Sequence, residues 1–375
     1  MKKNIIGDGL CAAGALLGCN VKKDDYQIFL SNTTGADFEK VSTNWRLSPI
    51  ISSKAFGGLS KSYHGIMPAS VILDINNSPI WRALGYEKLR KLYIADYMSE
   101  SKIFIPYFPI RPGQIIKKFS NPSKISRREN LDLKALINDK NSKTFLALSV
   151  IGNLRVLQSL NLINKKVTVD DHVIIRMGSI GGEELFEYLN GEELVKRFSK
   201  GIAIESLEIS TGCTIFFRPN FGEYNFDIDY TASVNGLGKL FMKFDSPAKI
   251  REAFFNKTGY PTRHNSYNIF AQIHMPDIYS MEGGIVTESV DSQAKFYEIK
   301  LKVLNLITRK FNTFKVYKND SPESILPGIH LSYDREVISG IPRNLEILDT
   351  SLCNDNSKHP SIIAMCKSFH KTILL

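Results

Sequence analysis

Cysteine is scarce and poorly placed for bridging or metal binding. Cys11, Cys19, Cys213, Cys353 and Cys366 form no Cys-x-x-Cys pair and no zinc-like spacing, and five thiols cannot all pair within one chain. This argues against a disulfide framework or a zinc module and fits a reducing, cytoplasmic setting. Long apolar runs are missing as well: no stretch of about 18 uncharged apolar residues exists, which argues against a membrane-spanning helix. Neither an internal repeat nor a low-complexity tract interrupts the chain.

What is present is an ordinary globular composition. With 375 residues, 43% of them hydrophobic, the chain can bury a full core in two domains or in one domain with a large insertion. A formal charge of +10 favours anionic partners such as phosphorylated ligands, nucleic acid or an acidic membrane surface, and is silent on fold. The basic loop of Lys117, Lys118, Lys124, Arg127 and Arg128 around Pro122 lacks aromatic interleaving, so nucleic acid is not the expected partner. That loop is expected to be a solvated connection, with a phosphate or nucleotide-sugar contact as the sharper alternative. Met1-Lys2-Lys3 followed by an apolar stretch ending at Cys19 has the outline of a lipoprotein signal. Asp8 argues against it, because a charge inside so short an apolar region costs roughly 2.5 kcal/mol or more on insertion.

The opening residues read as strand, glycine turn and helix: Lys3 to Ile6, then Gly7-Asp8-Gly9, then Leu10 to Leu17. Gly7 permits the turn, and Gly9 lets backbone N–H groups approach a pyrophosphate at the helix N-terminus, where the dipole favours negative charge. Ala12 stands where a third glycine is usual, and Ala13 and Ala15 keep the helix slim against the sheet. A second strand is expected at Tyr26 to Leu30. A dinucleotide fold commonly ends that strand in an acid that binds ribose, and here the position is Ser31 or Asn32. An NAD-dependent sugar-nucleotide reductase or epimerase satisfies this turn equally well, although it normally needs a Tyr-x-x-x-Lys pair, which the Tyr93 to Tyr97 stretch does not offer.

Further segments, in order, carry a more specific resemblance. Phe56-Gly57-Gly58-Leu59-Ser60, with His64 four residues beyond the serine, forms a second glycine-rich loop. Thr144 to Leu148 is an apolar strand running into Ser149-Val150-Ile151-Gly152-Asn153 and a leucine-bearing helix, and Asp171-His172 follows. Near the end stand Gly340-Ile341-Pro342-Arg343-Asn344-Leu345, a strand ending in Asp349-Thr350-Ser351, and His359-Pro360 before a last helix. In residue type, order and spacing these segments resemble the glucose-methanol-choline family of flavin-dependent oxidoreductases, in a short and divergent form.

The resemblance implies an α/β protein: an FAD-binding Rossmann-type domain, with a central parallel sheet and helices, plus an antiparallel-sheet substrate domain. It implies residues 1–165 for the first part of the FAD domain, 166–320 for the substrate domain, and 321–375 for the return to the FAD domain. FAD is the implied cofactor, held by Gly7, Gly9, Ala12, Ser31, Gly57, Gly58, Ser60, Ile151, Asp349 and Pro360. The implied chemistry is oxidation of a CH–OH group of a small alcohol or sugar, with His330 as base and His359 as its partner. His172 and His274 are expected to be structural, and Ser149 to replace a glycine at little cost. A non-catalytic descendant of the fold stays open, because Ser332 and the shortened link after His330 depart from the family pattern.

Alternating segments at Cys213 to Phe217, Phe226 to Tyr230, Leu240 to Phe244 and Asn268 to His274 predict antiparallel strands. Ser292 to Asn312 predicts an amphipathic helix with Phe296, Ile299, Val303, Ile307 and Phe311 on one face and lysines opposite. Core packing explains this pattern, and contact with an anionic membrane surface is the alternative.

Overall fold

The computed structural model describes residues 1–31, 38–40, 51–53, 66–68, 103–106, 112–163, 165–188, 204–210, 213–219, 266–317, 325–326, 331–352 and 361–375. In chain order these form β1 (Lys2–Ile6), α1 (Leu10–Lys22), β2 (Tyr26–Leu30), β3 (Phe38–Lys40), β4 (Ile51–Ser53), β5 (Ile66–Pro68), β6 (Ile103–Pro106), α2 (Pro112–Phe119), β7 (Ile125–Arg127), α3 (Leu133–Asn138), β8 (Ser142–Leu146) and α4 (Ser149–Ser159). They continue as β9 (Val167–Gly181), α5 (Gly182–Tyr188), β10 (Ile204–Ser210), β11 (Cys213–Pro219), β12 (Ser266–Glu282), β13 (Ile285–Glu288), α6 (Ser292–Lys310), β14 (Lys315–Val316), β15 (Ile325–Leu326), β16 (Leu345–Ile347) and α7 (Ser361–Leu374). The expected segments at Phe226 to Tyr230 and Leu240 to Phe244 lie outside the described residues.

The first sheet is parallel throughout, in the order β16-β8-β1-β2-β7. Its strands are short and apolar because helices cover them, and Ile5, Ile6, Ile28, Phe145 and Leu146 are all buried. Asn4 is the polar exception in β1, and it is satisfied by donating to Ser142 Oγ across the strand pair at 3.1 Å. Strands β1 and β2 join on one side of the centre while β8 and β16 build the other, so the order reverses between β1 and β8. The C-terminal segment joins this sheet: β16 pairs with β8, and α7 packs on α1.

The α1–α7 crossing depends on Gly14 and Gly18. A methyl group on Gly14 would stand 2.0 Å from Thr372 Oγ1, and one on Gly18 would stand 2.4 Å from the Ile373 carbonyl oxygen. The glycines at i and i+4 make one bare stripe, and α7 lies in it. Cys19, the residue a lipoprotein signal would modify, is buried in this helix. Lys3 Nζ and Lys22 Nζ donate to the carbonyl oxygens of Leu375 and Leu374, tying the two chain ends together.

The basic loop is more than a solvated connection. Ile125–Arg127 forms the outer strand β7 beside β2, where Gln27 Nε2 donates to Ser126 Oγ at 2.7 Å. Lys124 pairs with Asp25 at 2.8 Å and lies over the Tyr26 ring. A three-residue strand is too short to show a period in sequence, so only its partner reveals it.

The second sheet is antiparallel, in the order β14-β9-β12-β11-β10-β6-β5, with β13 on β12 and β15 on β9. Strands β5 and β6 come from before residue 165 and β15 from after residue 320, so this sheet draws chain from both sides of the central segment. Alternation decides its faces. Val167, Val169, Val173, Ile175 and Met177 of β9 share one apolar cluster with Ile269, Ala271 and Ile273 of β12 and with Phe296, Val303 and Ile307 of α6. Helix α6 thus spends its apolar face on the core, as its periodicity predicts. Among the described residues no helix is long and apolar enough to cross a membrane.

Candidate functional site

The turn after β1 is shaped by contact with the end of β8. Gly7 has φ +131, and a Cβ there would lie 2.2 Å from the Ala147 carbonyl oxygen, so both conformation and space demand glycine. Gly9 differs in kind. It caps α1 with no side-chain hydrogen bond, and a Cβ built on it meets nothing within 4 Å. Among the described residues the space beside Gly9 is therefore open, at the carboxyl ends of the parallel strands and beside the point where strand order reverses. Ligands of open α/β sheets bind at such a point.

Asp8, between the two glycines, is buried, and its Oδ2 accepts a hydrogen bond from the Ser31 backbone N–H at 3.1 Å. The carboxylate missing from the end of β2 in sequence is thus delivered there from the turn. Ser31 is buried beside it, and Ala12 is fully buried in α1. Nothing in a one-letter reading marks Asp8 for this task except its seat between two glycines, where neither helix nor strand accounts for it.

On the other side of the reversal, α4 starts under strain. Ser149 has φ +69, the left-handed region that glycine occupies freely, so its replacement of glycine is less neutral than the sequence suggests. Asn153 holds the turn: its Oδ1 accepts from the Leu148 N–H at 2.9 Å and its Nδ2 donates to Asp349 Oδ2 at 2.8 Å. Asp349 is buried, and its other oxygen accepts from the Ser351 N–H and hydroxyl. Arg335 stands 3.7 Å from it and donates to the Ile347 carbonyl.

Burial raises the Tyr333 hydroxyl and Cys11 thiol far above their ordinary pKa values. The Asp349 charge adds to both shifts, while Arg335 opposes them. Cys11 is a buried core thiol. Ile151 is likewise buried in the core of α4. The Asp349 network therefore ties the end of β16 to the start of α4 beside the open space. Gly57, Gly58, Ser60, His330, His359 and Pro360 lie outside the described residues.

A second cluster faces away from the α6 side of the antiparallel sheet. His172 of β9 stands opposite His274 of β12, with ring centroids 4.9 Å apart and planes tilted by 47°. Asp170 Oδ2 lies 3.9 Å from His274 Nε2, and its Oδ1 accepts the Asp277 N–H at 2.8 Å. Burial lowers the pKa of His274, with Asp170 and Asp277 pulling the other way; burial raises that of Asp170, against the Asp277 N–H and His274.

Asp171 points to the apolar side instead, where it accepts from the His172 N–H and the Tyr279 hydroxyl. Farther along the polar face, Arg176 donates to Asn268 Oδ1 and the Tyr317 hydroxyl and lies over the Tyr317 ring. Neither histidine carries a pairing signal in its own stretch of sequence. Register supplies the missing information.

No family model matches the chain, and no curated protein matches it in sequence. Among solved structures it is similar to pyridoxine 4-oxidase from Mesorbium loti, with a TM-score of 0.51 and 9% identity over 99% of this chain and 98% of that one. A formate oxidase from Aspergillus oryzae RIB40 aligns over 99% of this chain and 97% of its own at 10% identity, with a TM-score of 0.42. The first likeness is one of fold: a parallel sheet with helices joined to an antiparallel sheet, as the resemblance implied.

Proposed function

We propose that this chain is an FAD-dependent oxidoreductase, a divergent relative of the glucose-methanol-choline flavoenzymes, that oxidises a CH–OH group of a small alcohol or carbohydrate derivative. One observation carries the proposal. Gly7 and Gly9 open a space over α1 at the strand-order reversal, with Asp8 turned aside onto Ser31, inside a fold similar to pyridoxine 4-oxidase along nearly its whole length. Backbone N–H groups in the first turn of α1 would hold the diphosphate, helped by the helix dipole. Asp8 and Ser31 would meet the ribose side. Asp349 positions the frame through Asn153 and Ser351, because both of its oxygens are already engaged.

When bound, FAD supplies the hydride acceptor. His330, by its motif, is assigned as the base that takes the hydroxyl proton, since an imidazole with an ordinary pKa near ~6.5 is largely neutral at pH 7. His359 is assigned to steady the developing alkoxide. Cys11, Cys19 and Cys213 are free and buried, which supports a reducing, cytoplasmic setting.

The test is the visible spectrum of the purified protein. A flavin spectrum that bleaches anaerobically with sugar alcohols or pyridoxine is expected. Colourless protein that gains no flavin spectrum on incubation with FAD would overturn the cofactor assignment, and loaded protein that no alcohol bleaches would favour a non-catalytic descendant.

A further inference from the structure

Strands of a parallel sheet and the helices between them run in opposite directions, so the strand starts and the helix ends gather at one end of the layer. Here that end is formed by the start of β1, by residues 20–25 between α1 and β2, by 117–124 between α2 and β7, and by 139–141 before β8. Contacts join these segments. Asn20 Nδ2 donates to the Phe119 carbonyl at 2.9 Å, the Asn121 N–H donates to the Tyr26 hydroxyl at 3.0 Å, and Lys2 pairs in register with Ser142.

This end of the sheet is strongly basic. Lys3 and Lys124 are matched by Asp24 and Asp25, at 2.7 and 2.8 Å. Lys2, Lys22, Lys23, Lys117, Lys118 and Lys140 are all exposed, and the same segments hold one further acid, Asp139. The surplus is five charges, half of the +10 that the whole chain carries. Like charges gathered on a folded surface repel one another and cost stability, so their collection at one end fits an anionic partner.

Two apolar side chains stand among these lysines. Val21 is 53% exposed and precedes Lys22 and Lys23. Leu374, on the neighbouring end of α7, is 62% exposed, and its carbonyl accepts from Lys22 Nζ at 2.6 Å. Exposed apolar groups gain nothing from a phosphate backbone, whereas at a bilayer they enter the acyl boundary while lysines reach the headgroups. The Phe119 and Tyr26 rings are covered by Lys118 and Lys124, at 5.3 and 4.9 Å, so neither offers a base a stacking platform. Helix α6, the other basic element, spends Phe296, Val303 and Ile307 on the core.

We propose that the amino end of the parallel sheet docks on an anionic bilayer surface. The space beside Gly9 lies at the carboxyl ends of the same strands, so docking leaves it facing away from the lipid. The docking surface does not depend on the cofactor assignment.

Vesicle co-sedimentation of the purified full-length protein tests it, with phosphatidylcholine alone and with phosphatidylcholine carrying about 30 mol% phosphatidylserine. Binding is expected to the mixed vesicles only, and is expected to fall as salt rises from about 0.1 M to about 0.5 M, because surface charges are screened. A lysine near an anionic bilayer is worth roughly fivefold in affinity, so Lys23→Gln with Lys118→Gln is expected to weaken binding about 25-fold. Lys295→Gln with Arg309→Gln removes the same charge from α6, which packs on the other sheet, and is expected to leave binding within about twofold of wild type. No binding to the mixed vesicles at the lower salt, equal binding to phosphatidylcholine alone, or equal losses from the two double variants would overturn the surface. Tighter binding to an oligonucleotide at the same salt, abolished by Lys23→Gln with Lys118→Gln, would overturn it in favour of nucleic acid. Release from the vesicles by millimolar inorganic phosphate would overturn it in favour of a discrete phosphate site. If thermal unfolding shows that Lys23→Gln with Lys118→Gln does not fold, Lys2→Gln with Lys140→Gln decides the same question.

Discussion

The two sheets of this protein treat burial in opposite ways. The parallel sheet is apolar through its interior and concentrates its polar chemistry at the strand ends, in the turn of Gly7, Asp8 and Gly9 and the network around Asp349. The antiparallel sheet is apolar on the face that meets α6, and on the other mixes polar residues such as His172, Gln272 and His274 with Ile174 and Phe270. A parallel strand flanked by helices has no free face to spare, whereas a long antiparallel strand alternates and can devote every second residue to a ligand. The contrast teaches that the parallel sheet places its polar groups in turns, while the antiparallel sheet places them on a strand surface.

The sharpest way to break the parallel side is Gly7→Ala. The added methyl would overlap the Ala147 carbonyl oxygen at 2.2 Å in a backbone with φ +131, and no side chain can yield because the obstacle is main chain. A loss of at least about 3 kcal/mol in unfolding free energy is expected, from combined strain and overpacking, measured by urea denaturation. Stability within about 1 kcal/mol of wild type would show that the β1 and β8 ends are not in contact as described.

On the antiparallel side the expected effect is smaller and depends on pH. His274 has a folded pKa below its ordinary 6.5, because burial opposes the charged form. The unfolded chain therefore takes up a proton that the folded chain refuses. The contribution of His274 is fully present above about 6.5 and is lost as pH falls from there toward the lowered folded value, with a slope of at most about 1.4 kcal/mol per pH unit. Asp170, whose folded pKa is raised, acts with the opposite sign at lower pH. The difference between wild type and His274→Asn isolates the histidine among His172, Asp170 and Asp277. Identical pH dependence of the two proteins between pH 7 and 5 would contradict the buried placement of His274.

The smallest effect sharpens the comparison by repair. Ser149 is held at φ +69 at the start of α4, and glycine adopts that conformation without the Cβ penalty. Ser149→Gly is expected to raise stability by up to about 1 kcal/mol, as read from thermal unfolding with the flavin content unchanged. A clear destabilisation would mean that the serine side chain compensates for its own strain.

Much of the first sheet was legible because its signals are local. The second strand falls on Tyr26–Leu30 as expected, and α1 begins at Leu10 because glycines precede it and small apolar residues follow. The α6 stripe of Phe296, Val303 and Ile307 was legible for the same reason, since a helix repeats its buried face every three to four residues. The weight of Ser149 and Asp8 is not legible in the sequence. A φ angle and a hydrogen bond to residue 31 are properties of position and partner, which a letter does not carry. The Gly14 and Gly18 stripe was present in the sequence at helical spacing, but without knowing that α7 lies against it there was no reason to prefer these glycines to the alanines around them. His172 and His274 stand about a hundred residues apart, and only the register of β9 against β12 makes them a pair.

By itself the sequence determined the elements whose energetics are decided within a few neighbours: the glycine-broken start of α1, the alternation within β11 and β12, and the amphipathic α6. Tertiary structure decided which of those surfaces meet. It placed Asp8 at the end of β2, set α7 into the bare stripe of α1, made a fifth strand of a basic loop and turned two isolated histidines toward each other. The reason is physical: propensity and periodicity act over one or two turns of chain, whereas strand order and register are settled by burial summed over residues far apart in sequence.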